Sequence, residues 1–167
     1  MIKAIQCWTW NSKFVRICPF PEFQKIQMIT PYDYAYNLIY FNQKYDLINL
    51  EHDMIITYND YIAMRNADFE NCGAVSSIYK YNKEYMHRHI VDGNFEKGRE
   101  DDKYSDAIGF GFCKFKKGFF DQLGFRLDKK YNWLDFDTIV SQAAHKLKIN
   151  FRILPLFSQH LHSFTII

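Results

Sequence analysis

The sequence contains no apolar run near the ~20 residues that a membrane-spanning helix needs, and Met1 to Trp10 lacks the charged-then-apolar layout of a signal peptide. A soluble, cytoplasmic protein without a transmembrane segment is expected. The four cysteines, Cys7, Cys18, Cys72 and Cys113, are scattered with no C-x-x-C pair, which removes zinc ribbons and thioredoxin-like redox sites and predicts buried free thiols. No P-loop, no G-x-G-x-x-G and no G-x-S-x-G occurs, so P-loop nucleotide hydrolases, Rossmann dehydrogenases and α/β-hydrolases have no motif support. A dominant charge is also lacking. The formal net charge is +2 and the isoelectric point near 8.3, which argues against a dedicated nucleic-acid binder or a polybasic membrane-surface protein.

What the chain does have is apolar and aromatic mass. Of its 167 residues 48% are hydrophobic, with 12 Tyr, 16 Phe and 3 Trp, enough to bury a core, and the length suits one domain spanning 1–167. Ile2 to Cys7 and Phe14 to Cys18 read as short strands. Thr30-Pro31-Tyr32-Asp33 carries an N-cap, a proline at the first helical position and an acid at N3, predicting a helix over about 31–43. Leu47 to Leu50 reads as a buried strand running into Glu51-His52-Asp53. Thr57-Tyr58-Asn59-Asp60 repeats the capping pattern and starts a helix toward Asn66, and Gly73 to Tyr79 reads as another strand. From Lys80 to Asp106 the chain is polar and without sustained periodicity, which predicts a long flexible loop. Ala107 to Phe115 returns to strand-like alternation, and Lys116 to Leu123 predicts a short helix stopped at Gly124. A helix from near Asp135 places Phe136, Ile139, Val140, Ala143, Ala144 and Leu147 on one face, and Phe151 to Leu154 is a last strand. Strands and helices in alternation predict an α/β/α sandwich with a mostly parallel central sheet, whose ligands gather at the carboxyl ends of the strands.

Four groups of residues carry potential chemistry. Glu51 and Asp53, two apart on an extended segment, share a face and converge two carboxylates; with substrate phosphates they would suit Mg²⁺ or Mn²⁺, and otherwise they solvate a strand end. In Trp133-Leu134-Asp135-Phe136-Asp137 the acids either cap the helix and complement its dipole or supply a general base. His160 and His162 are also two apart and would complete a mixed oxygen and nitrogen metal shell, or are plain terminal polar residues. His87 and His89, in the polar stretch, are expected to be solvated. Gly109 and Gly111 strip side chains from one face of a strand, marking either close approach by a ligand or a bulge.

Taken in order, the apolar strand into Glu51-His52-Asp53, the segment from Gly109-Phe110-Gly111 to Phe115, Trp133 with Asp137 four residues on, and the closing His160-Leu161-His162 resemble a family of small GT-A glycosyltransferases. The resemblance covers roughly residues 44–167. It implies a metal-dependent transferase of the nucleotide-diphospho-sugar class, with Glu51-x-Asp53 as a DXD-like metal and diphosphate motif. On that reading Asp53 ligates Mn²⁺ or Mg²⁺ directly, and Glu51 lies near the nucleotide ribose or the metal. His162, ahead of His160, is a further metal ligand, and Gly109 and Gly111 belong to the donor site. Asp137 is the base of an inverting transfer, and the stretch 80–106 closes over donor or acceptor, with Tyr81 and Tyr85 stacking on a sugar. The partners implied are a nucleotide-sugar donor and a glycan, glycoprotein or lipid-linked acceptor. A non-catalytic nucleotide-sugar or glycan-binding module of the same fold, or a metal-dependent phosphohydrolase, are the alternatives.

Overall fold

A computed structural model describes residues 1–9, 12–127 and 136–161. In chain order the elements are β1 (Ile2–Trp8), β2 (Phe23–Gln27), α1 (Pro31–Asn42), β3 (Asp46–Glu51), β4 (Met54–Ile55), α2 (Tyr58–Asn66) and β5 (Ala74–Ile78). Four short ribbon strands follow, β6 (Lys80–Tyr81), β7 (Glu84–Tyr85), β8 (Arg88–Val91) and β9 (Asn94–Lys97), then β10 (Tyr104–Ser105) and β11 (Phe112–Phe115). The chain continues through α3 (Phe119–Gln122), α4 (Phe136–Lys146), β12 (Phe151–Phe157) and β13 (Gln159–His160).

Seven strands form one sheet in the order β10-β12-β5-β11-β3-β1-β2. β2, β1 and β3 are parallel, β11 runs against both β3 and β5, and β12 follows β5 in parallel. The sheet is therefore mostly parallel, as expected. Alternate residues of its strands feed two cores. Leu47, Ala74, Cys113, Phe115 and Phe151 meet α1, α3 and α4 on one face, while Ile48, Leu50, Val75 and Phe112 meet Tyr61 and Met64 of α2 on the other. All four cysteines are buried free thiols.

The helices begin where their caps predict. In α1 the Thr30 amide donates to Asp33 Oδ2 at 2.7 Å. In α2 the exchange is reciprocal: the Asp60 amide donates to Thr57 Oγ1 at 3.2 Å and the Thr57 amide to Asp60 Oδ2 at 2.8 Å. The buried residues Phe136, Val140 and Ala144 of α4 recur every fourth position and lie against the sheet. Among the described residues no helix is long and apolar enough to cross a membrane.

Three expectations are corrected. Phe14 to Cys18 is not a strand: the Gln6 side chain captures it instead, donating to the Arg16 carbonyl at 2.9 Å and accepting from the Cys18 amide at 2.8 Å, and the neighbour of β1 is β2. The stretch 80–106 is not an open loop. It folds into the hairpins β6–β7 and β8–β9, turned by Asn82-Lys83 (φ 48° and 67°) and Asp92-Gly93 (φ 50° and 80°), the left-handed pairs that match strand twist in two-residue turns. Gly109 and Gly111 precede β11 rather than lying within it.

Candidate active site

The apolar stretch Leu47–Leu50 is fully buried, so β3 delivers Glu51 to the carboxyl end of the sheet. Within that stretch sits one polar side chain, Asn49, which donates to Tyr34 Oη at 2.9 Å and to the Phe110 carbonyl at 2.6 Å. Tyr34 in turn donates to Glu51 Oε1 at 2.7 Å, while the Glu51 amide donates to the Gly111 carbonyl at 2.8 Å. The carboxylate is thus fixed from both sides. Burial pushes its pKa up to about 8, with the charges of Asp53 and Asp137 pushing the same way and the Tyr34 hydrogen bond pulling back.

Asp53 occupies the turn between β3 and β4 and is buried. Its carbonyl accepts from the Leu161 amide at 2.9 Å, and β4 pairs antiparallel with β13 so that His160 lies opposite Met54. That pairing brings His160 Nε2 to 3.3 Å from Asp53 Oδ2. The imidazole is sandwiched by aromatic rings, stacked on Tyr79 at 5.9 Å and met edge-on by Tyr81 at 5.4 Å. Of the two closing histidines, His160 is the one seen beside Asp53. His162, given precedence in the sequence reading, lies outside the described residues, as do Trp133 and Asp135.

Asp137 enters from α4. Phe136, one residue earlier, is locked against Phe110 and Phe120 at 5.9 and 5.7 Å, and the Ile108 amide donates to Ser141 Oγ at 3.3 Å one turn later. These contacts fasten the start of the helix to the 108–111 segment that also holds Glu51. Asp137 lines a small cleft of about 220 Å³ with Met86, Arg88 and Ile108. Its charge is felt by Glu51 and by the buried Tyr79 hydroxyl, whose pKa burial raises first and Glu51 second. Glu51 and Asp53, from the end of β3, and His160, from β13, therefore lie together at one end of the sheet, and Asp137, from α4, is near enough for its charge to raise Glu51.

The glycines do something other than expected. A Cβ on Gly109 would lie 2.2 Å from Tyr79 Oη, and one on Gly111 2.8 Å from the Tyr79 ring, whose hydroxyl accepts from the Gly111 amide at 2.9 Å. The space they open is filled by Tyr79, so the group that approaches closely at Gly109 and Gly111 is a side chain of the protein. His87 is likewise not solvated: it is buried, with Nε2 2.7 Å from the Arg99 carbonyl. Sequence reasoning missed Tyr34, Asn49 and Tyr79. An asparagine inside an otherwise apolar strand was the available signal for the first two, because a buried amide must be bonded to something.

No family model matches this chain, and no curated protein matches its sequence. Among solved structures, the crystal structure of A197 from STIV is similar to it with a TM-score of 0.51 at 15% sequence identity, covering 96% of this chain and 82% of that one. At that identity the likeness is one of fold alone.

Proposed function

We propose that the chain is a GT-A glycosyltransferase that moves a sugar from a nucleoside-diphosphate donor to an acceptor hydroxyl with inversion, dependent on Mn²⁺ or Mg²⁺. The observation that carries the reading is the pairing of Asp53 with His160 beside Glu51, at the carboxyl end of a mostly parallel sheet, the place where such sheets receive ligands. Burial first, and then the charges of Asp53 and Asp137, hold the Glu51 pKa at about 8, an electrostatic setting that a cation relieves.

Among the described residues no group of three or more His, Cys, Asp or Glu is arranged to hold a metal ion by itself. The donor set nevertheless fits a metal completed by substrate. Asp53 and His160, a carboxylate beside an imidazole, form a donor pair of the kind that phosphate oxygens would complete around Mg²⁺ or Mn²⁺. Asp53 and His160 would hold it, with Glu51 or His162 as further donors, and the bound metal would neutralise charge on the departing diphosphate. Glu51, oriented by Tyr34, would also hydrogen-bond a ribose hydroxyl. Asp137 accepts the proton of the attacking hydroxyl as its oxygen bonds to the anomeric carbon, while the anomeric carbon–oxygen bond breaks and the nucleoside diphosphate leaves with the electron pair.

Thermal-shift titration with UDP, GDP and CDP, with and without Mn²⁺, tests this. A nucleotide that raises the melting point only with the metal, and does so no longer in Asp53→Ala, is the expected result. No metal-dependent shift with any nucleoside diphosphate would defeat the proposal.

A further inference from the structure

Two clefts lie side by side along β12, the first of them beginning at His160. One, of about 400 Å³, is lined by Tyr79, Lys80, Tyr85, Phe157 and His160. The other, of about 470 Å³, is lined by residues that include Glu70, Asp101, Tyr104 and Arg152. They share Ile78 and Glu100, and so form one groove that starts at the His160 imidazole and runs along the sheet edge. The register of β12 against β5 shifts between Leu154 and Phe157, around Pro155, and the irregularity turns Phe157 outward.

Two exposed aromatic side chains line the path, Phe157 (58% exposed) in the first cleft and Tyr104 (46% exposed) in the second, and Tyr81 (42% exposed) stands edge-on to His160 where the path begins. Such a row offers apolar faces with polar rims, the surface on which the C–H faces of pyranose rings rest. The polar complement has no dominant sign. Arg152 is engaged by Glu70 at 2.8 Å and by the Asp68 carbonyl at 2.6 Å, Lys80 lies over the Tyr85 ring at 4.4 Å, Glu100 accepts from Tyr85 Oη at 2.8 Å and Asp102 is held by His89 and the Arg99 amide, which leaves Lys103 beside Asp101. A lining of balanced charge suits neutral hydroxyls, which its carboxylates accept from, and offers no cationic cluster to phosphate, sulfate or uronate.

We infer that this groove is the acceptor site and that the acceptor is a neutral oligosaccharide of several residues, its reacting end at His160 and the rest laid along Phe157 toward Tyr104. Its role as acceptor rests on the transferase reading above; its capacity to bind glycan does not. The length of the groove, which extends beyond the first cleft into a second of similar size, is what distinguishes an oligosaccharide from a single sugar.

Saturation-transfer NMR and calorimetry without donor would use mannotriose, maltotriose and chitotriose, the matching monosaccharides, and trigalacturonic acid as the anionic control. At least one neutral trisaccharide is expected to bind about tenfold or more tighter than its monosaccharide, and the anionic one more weakly. Phe157→Ala and Tyr104→Ala, both at exposed positions and checked for an unchanged melting curve, are each expected to weaken that binding by about fivefold or more. Binding by none of the trisaccharides, preference for the anionic chain, or full affinity in both variants would overturn the assignment. Trisaccharide binding in a protein that shows no metal-dependent nucleotide shift would leave the glycan groove standing and remove the transferase.

Discussion

Two clusters of titratable side chains, built from the same residue types, sit in opposite electrostatic states. In the ribbon, His89 Nε2 lies 2.9 Å from Asp102 Oδ2, His87 lies 3.5 Å from the same oxygen, and His145 Nδ1 lies 3.4 Å from Asp106 Oδ1. Burial alone would raise the Asp102 pKa, but the Arg99 amide and then His89 hold it below the ordinary carboxylate value. At the end of β3 burial first, and then the charges of Asp53 and Asp137, drive Glu51 up to about 8. Evenly paired charges brace a fold, whereas acids that push against each other need something from outside to balance them. The ribbon cluster is therefore read as a brace and the β3 cluster as a site.

The largest effect expected from that contrast is on turnover. Asp137→Asn keeps the helix and the shape of the side chain but cannot take a proton, so transfer should fall about 10²- to 10⁴-fold while the metal-dependent nucleotide shift persists. Normal transfer by this variant would strip Asp137 of the role of base. Asp53→Ala should lose transfer together with the nucleotide shift, and the split between the two variants separates proton removal from donor binding.

Next in size is a reversal of pH dependence. Glu51 has a folded pKa near 8 against 4.5 for the free group, so the stability it contributes is fully present below pH 4.5 and is lost as the pH rises through about 8. Glu51→Gln removes the ionisation and should be more stable than the parent at pH 8 by about 2 kcal/mol, once the shift is discounted for the water that still reaches the side chain. Urea unfolding at pH 5 and pH 8 measures it. A stability difference between the two proteins that does not grow with pH would break the contrast at its stronger end. Asp102 has the opposite sign: lowered in the fold, it contributes stability present above pH 3.8 and lost as the pH falls through its folded value. Asp102→Ala should cost about 1–2 kcal/mol at pH 7, by taking the acceptor from the Arg99 amide and His89, with little change in nucleotide binding.

What the sequence disclosed follows the same division between local and tertiary causes. The caps at Thr30 and Thr57 and the buried run into Glu51 are local patterns, and each produced its element within a residue or two, whereas of the face expected on α4 Phe136, Val140 and Ala144 are buried and Ile139 and Leu147 are exposed. That Glu51 and Asp53 end a parallel strand was legible for the same reason. The nearness of Asp137 to Glu51 was not, because it depends on Phe136 packing on Phe110 and Ser141 binding the Ile108 amide, contacts between segments about thirty residues apart in sequence. Phe14 to Cys18 failed as a strand because one long-range side chain, Gln6, outcompeted a ladder. The glycines at 109 and 111 carried a real signal of close approach, but the sequence does not say that the approaching group is Tyr79.

The ribbon is different, since its signal was local and went unused: Asp92-Gly93 between Arg88–Val91 and Asn94–Lys97 is a two-residue hairpin turn in plain sequence. That makes the last and smallest prediction a clean one. Gly93 has a φ of +80° and nothing within 4 Å of where a Cβ would stand, so Gly93→Ala meets no steric obstacle and carries only the backbone penalty of a left-handed residue, about 1 kcal/mol. Because Asp102 and Asp106 fasten the ribbon from outside the hairpin, that penalty should appear as faster amide exchange over residues 88–97, with exchange at β3 and β5 unchanged. Exchange that instead quickens across the whole sheet would mean that the ribbon and the carboxylate end unfold as one unit, and the two clusters would then no longer be separable by stability.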